Sequence, residues 1–177
     1  MNICVLCSAV ELDEKYKQPA RELAELIARG GHDLIWGGSD NGLMNIVASG
    51  VQAGGGKIIG ISVHAYKKEA RHNADEMVIA NSLGERKAQM LNRSDAIIAL
   101  PGGIGTLDEV TDFIELKKQG AHIKPIVLLD IDGYYDGLKT QLKRIEAEGF
   151  IKVALAKLVG FANTPVQAMQ LAEKTHY

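Results

Sequence analysis

Short, continuous apolar runs alternate along this chain with longer segments of helical periodicity. The runs AIIAL (96–100) and PIVLL (125–129) have no polar residue at alternate positions, which is typical of strands that helices cover on both faces. Strands that alternate with helices form βαβ units around a parallel sheet. The sequence therefore predicts an α/β fold, with a single domain over 1–177 and a doubly wound parallel sheet that has helices on both faces.

Periodicity and glycine-rich breaks set the expected element boundaries. The predicted strands are 3–6, 33–36, 57–63, 76–80, 96–100 and 125–130. The predicted helices are 15–29, 41–53, 83–93, 106–118, 135–148 and 164–174. The last helix opens with Thr164-Pro165, an N-cap followed by proline at the first helical position. The polar segment 64–74 has no clear period and is predicted to be a loop. Ligands of doubly wound sheets bind beyond the carboxyl ends of the strands, so we expect the functional site there.

Charge and composition exclude several classes of partner. Lys plus Arg total 20 and Asp plus Glu total 22, so the formal net charge of the 177 residues is -2. This balance gives neither the basic footprint of a nucleic-acid-binding protein nor a polybasic membrane anchor. No apolar run approaches the roughly 18 residues of a membrane-spanning helix. The apolar N-terminus has no preceding Lys or Arg, unlike a signal peptide. We expect a cytoplasmic protein with no nucleic-acid or membrane partner.

The cysteines and histidines form no pattern typical of a redox or metal site. Cys4 and Cys7 form a C-x-x-C motif in the first predicted strand, where residues three apart point to opposite faces. We interpret both as buried apolar residues. The histidines lack an H-E-x-x-H motif or paired cysteine spacing, and we expect no metal site. They are His32, His64, His72, His122 and His176.

Two common nucleotide-binding motifs are absent. The dinucleotide fingerprint follows the first strand of a Rossmann unit with clustered glycines, whereas residues 8–13 (SAVELD) contain none. Residues 54–57 (GGGK) lack the spacing and the following Ser or Thr of a P-loop, and they precede a strand instead of a helix. We interpret 54–57 as the end of a helix.

Two other glycine-rich segments each follow a predicted strand. They are 37–44 (GGSDNGLM) and 101–109 (PGGIGTLDE). The second also precedes a helix, so its backbone N–H groups and the Thr106 hydroxyl are suited to bind an anion. A plain strand-to-helix turn explains the same glycines, and the local sequence leaves both interpretations open.

Two charged positions also have alternative interpretations. Thr106-Leu107-Asp108-Glu109 matches a T-x-x-E capping box, which requires no catalytic role for Glu109. Arg86-Lys87 lies on a predicted helix, and such pairs are usually solvated. The residues by themselves therefore leave Glu109 and Arg86 open between structure and chemistry.

Taken together, the motifs resemble the LONELY GUY family of cytokinin riboside 5'-monophosphate phosphoribohydrolases, which is also labelled lysine decarboxylase. The resemblance combines P-G-G-x-G-T-x-x-E (101–109), the upstream Arg-Lys (86–87) and G-G-x-x-x-G-L-M (37–44). It extends over 3–151 and includes the D-G-Y-Y motif at 132–135.

The resemblance implies a Rossmann-like fold, a homodimer, no cofactor and no metal. It implies hydrolysis of the N-glycosidic bond of a nucleoside 5'-monophosphate, of the AMP or cytokinin type, to free base and ribose 5-phosphate. Arg86 and Glu109 match the family's catalytic pair. The expected substrate-binding residues, including two from the first glycine loop, are Lys87, Gly38, Gly42, Gly102, Gly103, Gly105, Thr106 and Asp108.

Three segments depart from the family pattern, so the preferred base is not predicted. They are 8–10, 83–84 and 115–118. The alternative functions are hydrolysis of a different mononucleotide, nucleotide binding without catalysis, and a pyridoxal-phosphate decarboxylase. No lysine stands in a context that marks it as a Schiff-base residue.

Overall fold

The structure, a computed structural model, describes residues 1–174 and contains a seven-stranded sheet. The strands are β1 (Asn2–Leu6), β2 (Asp33–Trp36), β3 (Ile58–Val63), β4 (Glu76–Ala80), β5 (Ala96–Ala99), β6 (Ile126–Leu129) and β7 (Gly160–Ala162). Their order in the sheet is β4-β3-β2-β1-β5-β6-β7, and every neighbouring pair is parallel. The predicted α/β parallel sheet is confirmed.

Helices cover both faces of this sheet. They are α1 (Glu14–Arg29), α2 (Gly42–Ala53), α3 (Leu83–Arg93), α4 (Ile104–Lys118), α5 (Asp136–Ala147), α6 (Leu155–Leu158) and α7 (Pro165–Ala172). Leu23 of α1, Val47 of α2 and Ala168 of α7 belong to one hydrophobic core. Met90 of α3 and Phe113 of α4 belong to the core on the opposite face. The strand residues are therefore shielded on both sides, which explains their unbroken apolar runs.

Strand β1 lies at the point where the strand order reverses. Cys4 of β1 is in register with Ile35 of β2 on one side and with Ile97 of β5 on the other. In an open α/β sheet, a crevice forms beyond the carboxyl ends of the strands at such a switch point. The loops that follow β1 and β5 therefore meet at one edge of the sheet.

The structure corrects several predicted boundaries. The segment His64–Glu69 is a 3-10 helix, not a loop, with non-helical backbone at Tyr66. A short 3-10 helix needs no apolar period, so the sequence carries no signal for it. Elements α6 and β7 have four and three residues, which is too short to establish a period. The Thr164 cap is confirmed, because its side chain accepts a hydrogen bond from the Gln167 N–H at 3.2 Å.

The two cysteines are buried on opposite faces of the sheet, as predicted, although Cys7 directly follows β1 and does not lie within it. Cys4 belongs to one core and Cys7 to the other, and both are free thiols. Burial raises the pKa of each thiol far above its usual range, which makes them poor nucleophiles. Within residues 1–174, no helix has the length and hydropathy needed to cross a membrane.

Candidate active site

A cavity of about 490 Å³ opens at the carboxyl ends of the strands. This volume lies within the range of small-molecule sites, about 300–1,000 Å³. The loops after β1, β2, β3, β4 and β5 all contribute to its wall. The residues that line the cavity are Cys7, Ser8, Ala9, Val10, Gly37, Ser39, Asn41, Met44, Tyr66, Glu69, Leu83, Arg86, Lys87, Gly103, Gly105, Thr106, Asp108 and Glu109.

A buried ion pair joins α3 to α4 in the wall of the cavity. A terminal nitrogen of Arg86 donates to a carboxylate oxygen of Glu109, and the two side chains are 10% and 8% exposed. The Arg86 Nε donates to the carbonyl of Ile61 at 2.8 Å. Arg86 is therefore not a solvated helix residue, and its guanidinium is fixed from two directions.

The absence of a side chain at Gly37 leaves room for the Arg86 guanidinium. A Cβ at Gly37 would overlap the second terminal nitrogen of Arg86 and would lie 2.9 Å from the Met44 Cε. Because Ile61 and Glu109 fix the Arg86 guanidinium, it cannot move away from such a Cβ at low cost. The first glycine loop thus supports the guanidinium through a residue that sequence reasoning did not select.

The capping-box interpretation of Glu109 is wrong. Helix α4 begins at Ile104 with Gly103 as its N-cap, so Thr106 occupies the third helical position and Glu109 the sixth. A capping-box Glu stands at the third position. Burial raises the pKa of Glu109, while the Arg86 guanidinium opposes that shift. A buried carboxylate with a raised pKa beside an arginine is typical of functional sites.

The N-terminus of α4 presents unpaired backbone donors to the cavity. The first backbone bond of this helix is from Leu107 N–H to the Gly103 carbonyl at 3.1 Å, which leaves the preceding N–H groups without intrahelical partners. Nothing lies within 4 Å of a Cβ built on Gly103 or Gly105, and both residues line the cavity with Thr106. The site therefore has the free donors and open space that an anion requires.

Lys87 lies beside this N-terminus but is held by two carboxylates. Its ammonium is 3.1 Å from Asp108 and 3.3 Å from Asp112. Burial tends to lower the pKa of Lys87, but the bonds to Asp108 and Asp112 outweigh it, and the pKa is raised. Lys87 is thus a cation at neutral pH.

Three of the predicted binding glycines do not line the cavity. Gly38 and Gly42 have positive φ angles of 81° and 54°, and a Cβ on Gly42 would collide with the Val10 carbonyl. A Cβ on Gly102 would collide with the Thr106 hydroxyl. These glycines shape the backbone and permit close packing, whereas Gly103 and Gly105 leave space.

The segment after β3 adds a wall that the sequence did not indicate. Tyr66 and Glu69 of the 3-10 helix line the cavity. Arg71, which follows them, is 8% exposed and anchors the segment to α2 and its preceding loop. Its guanidinium donates to Asp40, Asn45, Ser49 and Gln52 at 2.8–3.0 Å. The sequence did not predict these contacts, because Arg71 is one charged residue within the polar segment 64–74.

No arrangement suited to a metal ion occurs in the part of the chain that is described. Residues 1–174 contain no group of three or more His, Cys, Asp or Glu side chains that could hold one. His176, which belongs to the histidines considered above, lies outside the described residues.

Comparison with known proteins gives both sequence and structural matches. The sequence pattern of the family described as "Possible lysine decarboxylase" matches residues 44–172. Solved structures give the fold alone, because their identities are low. The structural-genomics target TM1055 superposes with a TM-score of 0.75 at 21% identity, covering 98% of this chain and 99% of that one. The molybdenum cofactor binding protein from Rippkaea orientalis has a TM-score of 0.73 at 24% identity, covering 96% and 93%.

Three relatives are similar at higher identity. LOGL9 from Oryza sativa subsp. japonica, a probable cytokinin riboside 5'-monophosphate phosphoribohydrolase, is 43% identical over 84% of this chain and 67% of its own length. The Mycobacterium tuberculosis cytokinin riboside 5'-monophosphate phosphoribohydrolase is 38% identical over 89% and 86%. LOG2 from Arabidopsis thaliana, with the same activity in its name, is 33% identical over 97% and 82%. The chain therefore belongs to the LONELY GUY family, whose pattern carries the description of a possible lysine decarboxylase.

Proposed function

We propose that the protein hydrolyses the N-glycosidic bond of a nucleoside 5'-monophosphate to give the free base and ribose 5-phosphate. The observation that carries this proposal is the buried Arg86–Glu109 pair beside the open N-terminus of α4. The names of the relatives support the same reaction and favour a cytokinin riboside 5'-monophosphate or AMP as the substrate. The names of the relatives also favour this hydrolysis over the lysine decarboxylase activity in the family's description.

The anion site supplies the first step, which is orientation. We assign the substrate phosphate to the N–H groups at the start of α4, with Gly103, Gly105 and Thr106 around it. Lys87 lies at the same edge of the cavity, where Asp108 and Asp112 hold its ammonium in place. A phosphate held away from the scissile bond places the anomeric carbon without itself reacting, and such orientation contributes a large part of many rate enhancements.

The ion pair supplies the chemistry. Cleavage of an N-glycosidic bond passes through a ribosyl cation resembling that of glycoside hydrolysis. The Glu109 carboxylate stabilises this cation and accepts a proton from the attacking water. The water oxygen bonds to the anomeric carbon, and the bonding electrons leave with the base, which takes up a proton. Arg86 orients Glu109 and holds substrate oxygens with its remaining donors.

A panel of nucleoside monophosphates and their nucleosides tests this proposal. Base and ribose 5-phosphate are both measured, and AMP is compared with adenosine. We expect release from AMP and much slower release from adenosine, since the donors at α4 are unused by a nucleoside. Equal turnover of the two would overturn the phosphate assignment. Saturable binding without base release would indicate a non-catalytic nucleotide-binding protein, and carbon dioxide released from lysine would indicate the decarboxylase.

We further propose that the active form is a cytoplasmic homodimer built from one nucleotide-binding domain per chain. Family membership supports the dimer, with α4 as the contact, and two free cysteines are compatible with a reducing compartment. Light scattering at micromolar concentration tests the dimer. A mass of 19.1 kDa, that of one chain, would contradict it.

A further inference from the structure

Two adjacent tyrosines hold the glycine loop between β5 and α4 from behind. The Tyr135 hydroxyl donates to the Leu100 carbonyl at 2.6 Å, and the Tyr134 hydroxyl donates to the Gly102 carbonyl at 2.6 Å. Neither tyrosine lines the cavity, although Gly103 does. The hydroxyls therefore contact the loop on the side away from the proposed substrate.

The tyrosines are themselves fixed by the turn after β6. The buried Asp130 accepts from the Tyr135 N–H at 2.8 Å, and its own N–H donates to the Ala162 carbonyl of β7 at 2.7 Å. The chain reverses direction between Asp130 and Tyr134, through two residues with positive φ, Asp132 at 52° and Gly133 at 70°. This turn aims both rings back toward the β5 edge.

The orientation of one peptide plane follows from the Tyr134 contact. The described chain has no cis peptide bond, and in a trans peptide the carbonyl and the next N–H point in opposite directions. Because the Gly102 carbonyl points at Tyr134, the Gly103 N–H points the other way, toward the cavity. A peptide between two glycines rotates easily, so an external contact is needed to fix it.

We propose that Tyr134 is a positioning residue that locks the Gly102–Gly103 peptide with its N–H directed at the substrate phosphate. The inference rests on the proposed function and deepens it, because it adds the Gly103 N–H to the phosphate donors and names the group that orients it. Tyr135 holds the preceding carbonyl of Leu100 in the same way and keeps the base of the loop in the core, where Tyr135 is 1% exposed.

Tyr134→Phe tests the proposal, because it removes only the hydroxyl. The two products serve as probes: ribose 5-phosphate carries the phosphate and the free base does not. We expect the inhibition constant for ribose 5-phosphate and the KM for AMP to rise about 5- to 10-fold, as for a lost hydrogen bond. The inhibition constant for the base and kcat should change less than twofold.

Tyr16→Phe is the matched control. Tyr16 packs edge-on against Tyr134, with ring centroids 6.0 Å apart, and no bond from its hydroxyl to the loop occurs within residues 1–174. We expect this variant to behave as wild type, and thermal melts verify that both variants are folded.

The outcomes separate the inference from the function on which it rests. If wild type releases base from AMP and Tyr134→Phe binds ribose 5-phosphate as tightly as wild type, the inference alone is overturned. An equal loss of affinity for ribose 5-phosphate and for the base also overturns it, because that result indicates a general structural role. If wild type neither releases base nor distinguishes AMP from adenosine, the proposed function fails and the inference fails with it.

Discussion

The glycines of the two glycine-rich segments at the edge of the sheet serve different purposes. In the segment that joins β2 to the first turn of α2, Gly38 and Gly42 have positive φ angles, and the backbone after β1 fills the space beside Gly42. In the segment that joins β5 to the first turn of α4, Gly102 packs against Thr106, but Gly103 and Gly105 face open space. The glycines of the first segment thus permit close packing, whereas two of the second leave room beside the cavity.

This difference shows that a glycine motif does not by itself locate a ligand. Both loops follow strands and both match the family pattern, yet only the second combines open space with unpaired helix donors. The first loop acts on the site indirectly, since Gly37 leaves space for the Arg86 guanidinium. The following variants test this division, beginning with the largest expected effect.

Glu109→Gln tests whether the chemistry resides on the helix that follows the open loop. The amide cannot accept a proton from water, so we expect base release to fall about 10²–10⁴-fold while AMP still binds. Arg86 loses its buried counterion, and the free energy of unfolding should fall by about 1–3 kcal/mol. Base-release assays, a binding titration and thermal melts measure the three effects.

The matched control for Glu109→Gln is Glu115→Gln on the same helix. Glu115 pairs with Lys118 at the surface, where such pairs contribute little, so this variant should be nearly neutral. Full turnover in Glu109→Gln would leave the proposed mechanism without its carboxylate.

Arg86→Lys tests the support that the packed loop provides. Lysine keeps the charge but loses the planar fork that reaches Ile61 and Glu109 together. We expect base release to fall about 10²-fold, corresponding to the loss of two strong hydrogen bonds, with the fold retained. Arg93→Lys is the control on the same helix, because Arg93 pairs with Glu76 at the surface. Equal activity of the two variants would contradict the role of Arg86.

A pair of glycine variants tests the comparison directly. Gly42→Ala places a side chain at positive φ against the Val10 carbonyl, so the free energy of unfolding should fall by about 1–3 kcal/mol. Gly105→Ala lies in a helix with free space around it, so the fold should be unaffected. Its methyl group enters the proposed phosphate site, and affinity for ribose 5-phosphate should fall about tenfold. Loss of ribose 5-phosphate affinity in Gly42→Ala and loss of stability in Gly105→Ala would contradict these roles of the two glycines.

The pH profile gives the smallest expected effect. Burial raises the pKa of Glu109, and a general base acts only when deprotonated. As pH falls, kcat/KM should therefore begin to decline at a higher pH than it would with an ordinary solvent-exposed glutamate. A steady-state profile between pH 4 and 8 measures this acid limb. A flat profile over that range would contradict the assignment of Glu109 as the base.

The parallel sheet was predictable because each of its central strands carries an unbroken apolar run. The start of α4 was harder to predict from the sequence. Thr106 is a good N-cap residue and was predicted to begin that helix, but the unhindered backbone at Gly103 lets the helix begin at Ile104. The N-cap is therefore Gly103, three residues before Thr106, and Glu109 stands at the sixth helical position, where its carboxylate contacts Arg86. The position of the N-cap thus decides between the two interpretations of Glu109.

Other parts of the site depend on contacts between distant segments. Arg86 and Glu109 are 23 residues apart, and neither sequence neighbourhood indicates that the other is near. Arg71 reaches four side chains on α2 and the preceding loop, which no local pattern reveals. The tyrosines at 134 and 135 were visible in a matching motif, but their partners lie more than 30 residues away.

The 3-10 helix His64–Glu69 is a place at which substrate specificity can be engineered. Tyr66 and Glu69 reach the cavity on a segment that leaves the sheet after Val63 and is fastened again at Arg71. The segment also contacts the loop after β2, where the Glu69 carbonyl accepts from the Asp40 N–H at 2.8 Å, and none of these contacts involves Arg86 or Glu109. Substitutions at Tyr66 or Glu69 would therefore reshape one wall of the cavity in protein engineering while the proposed hydrolytic pair stays in place.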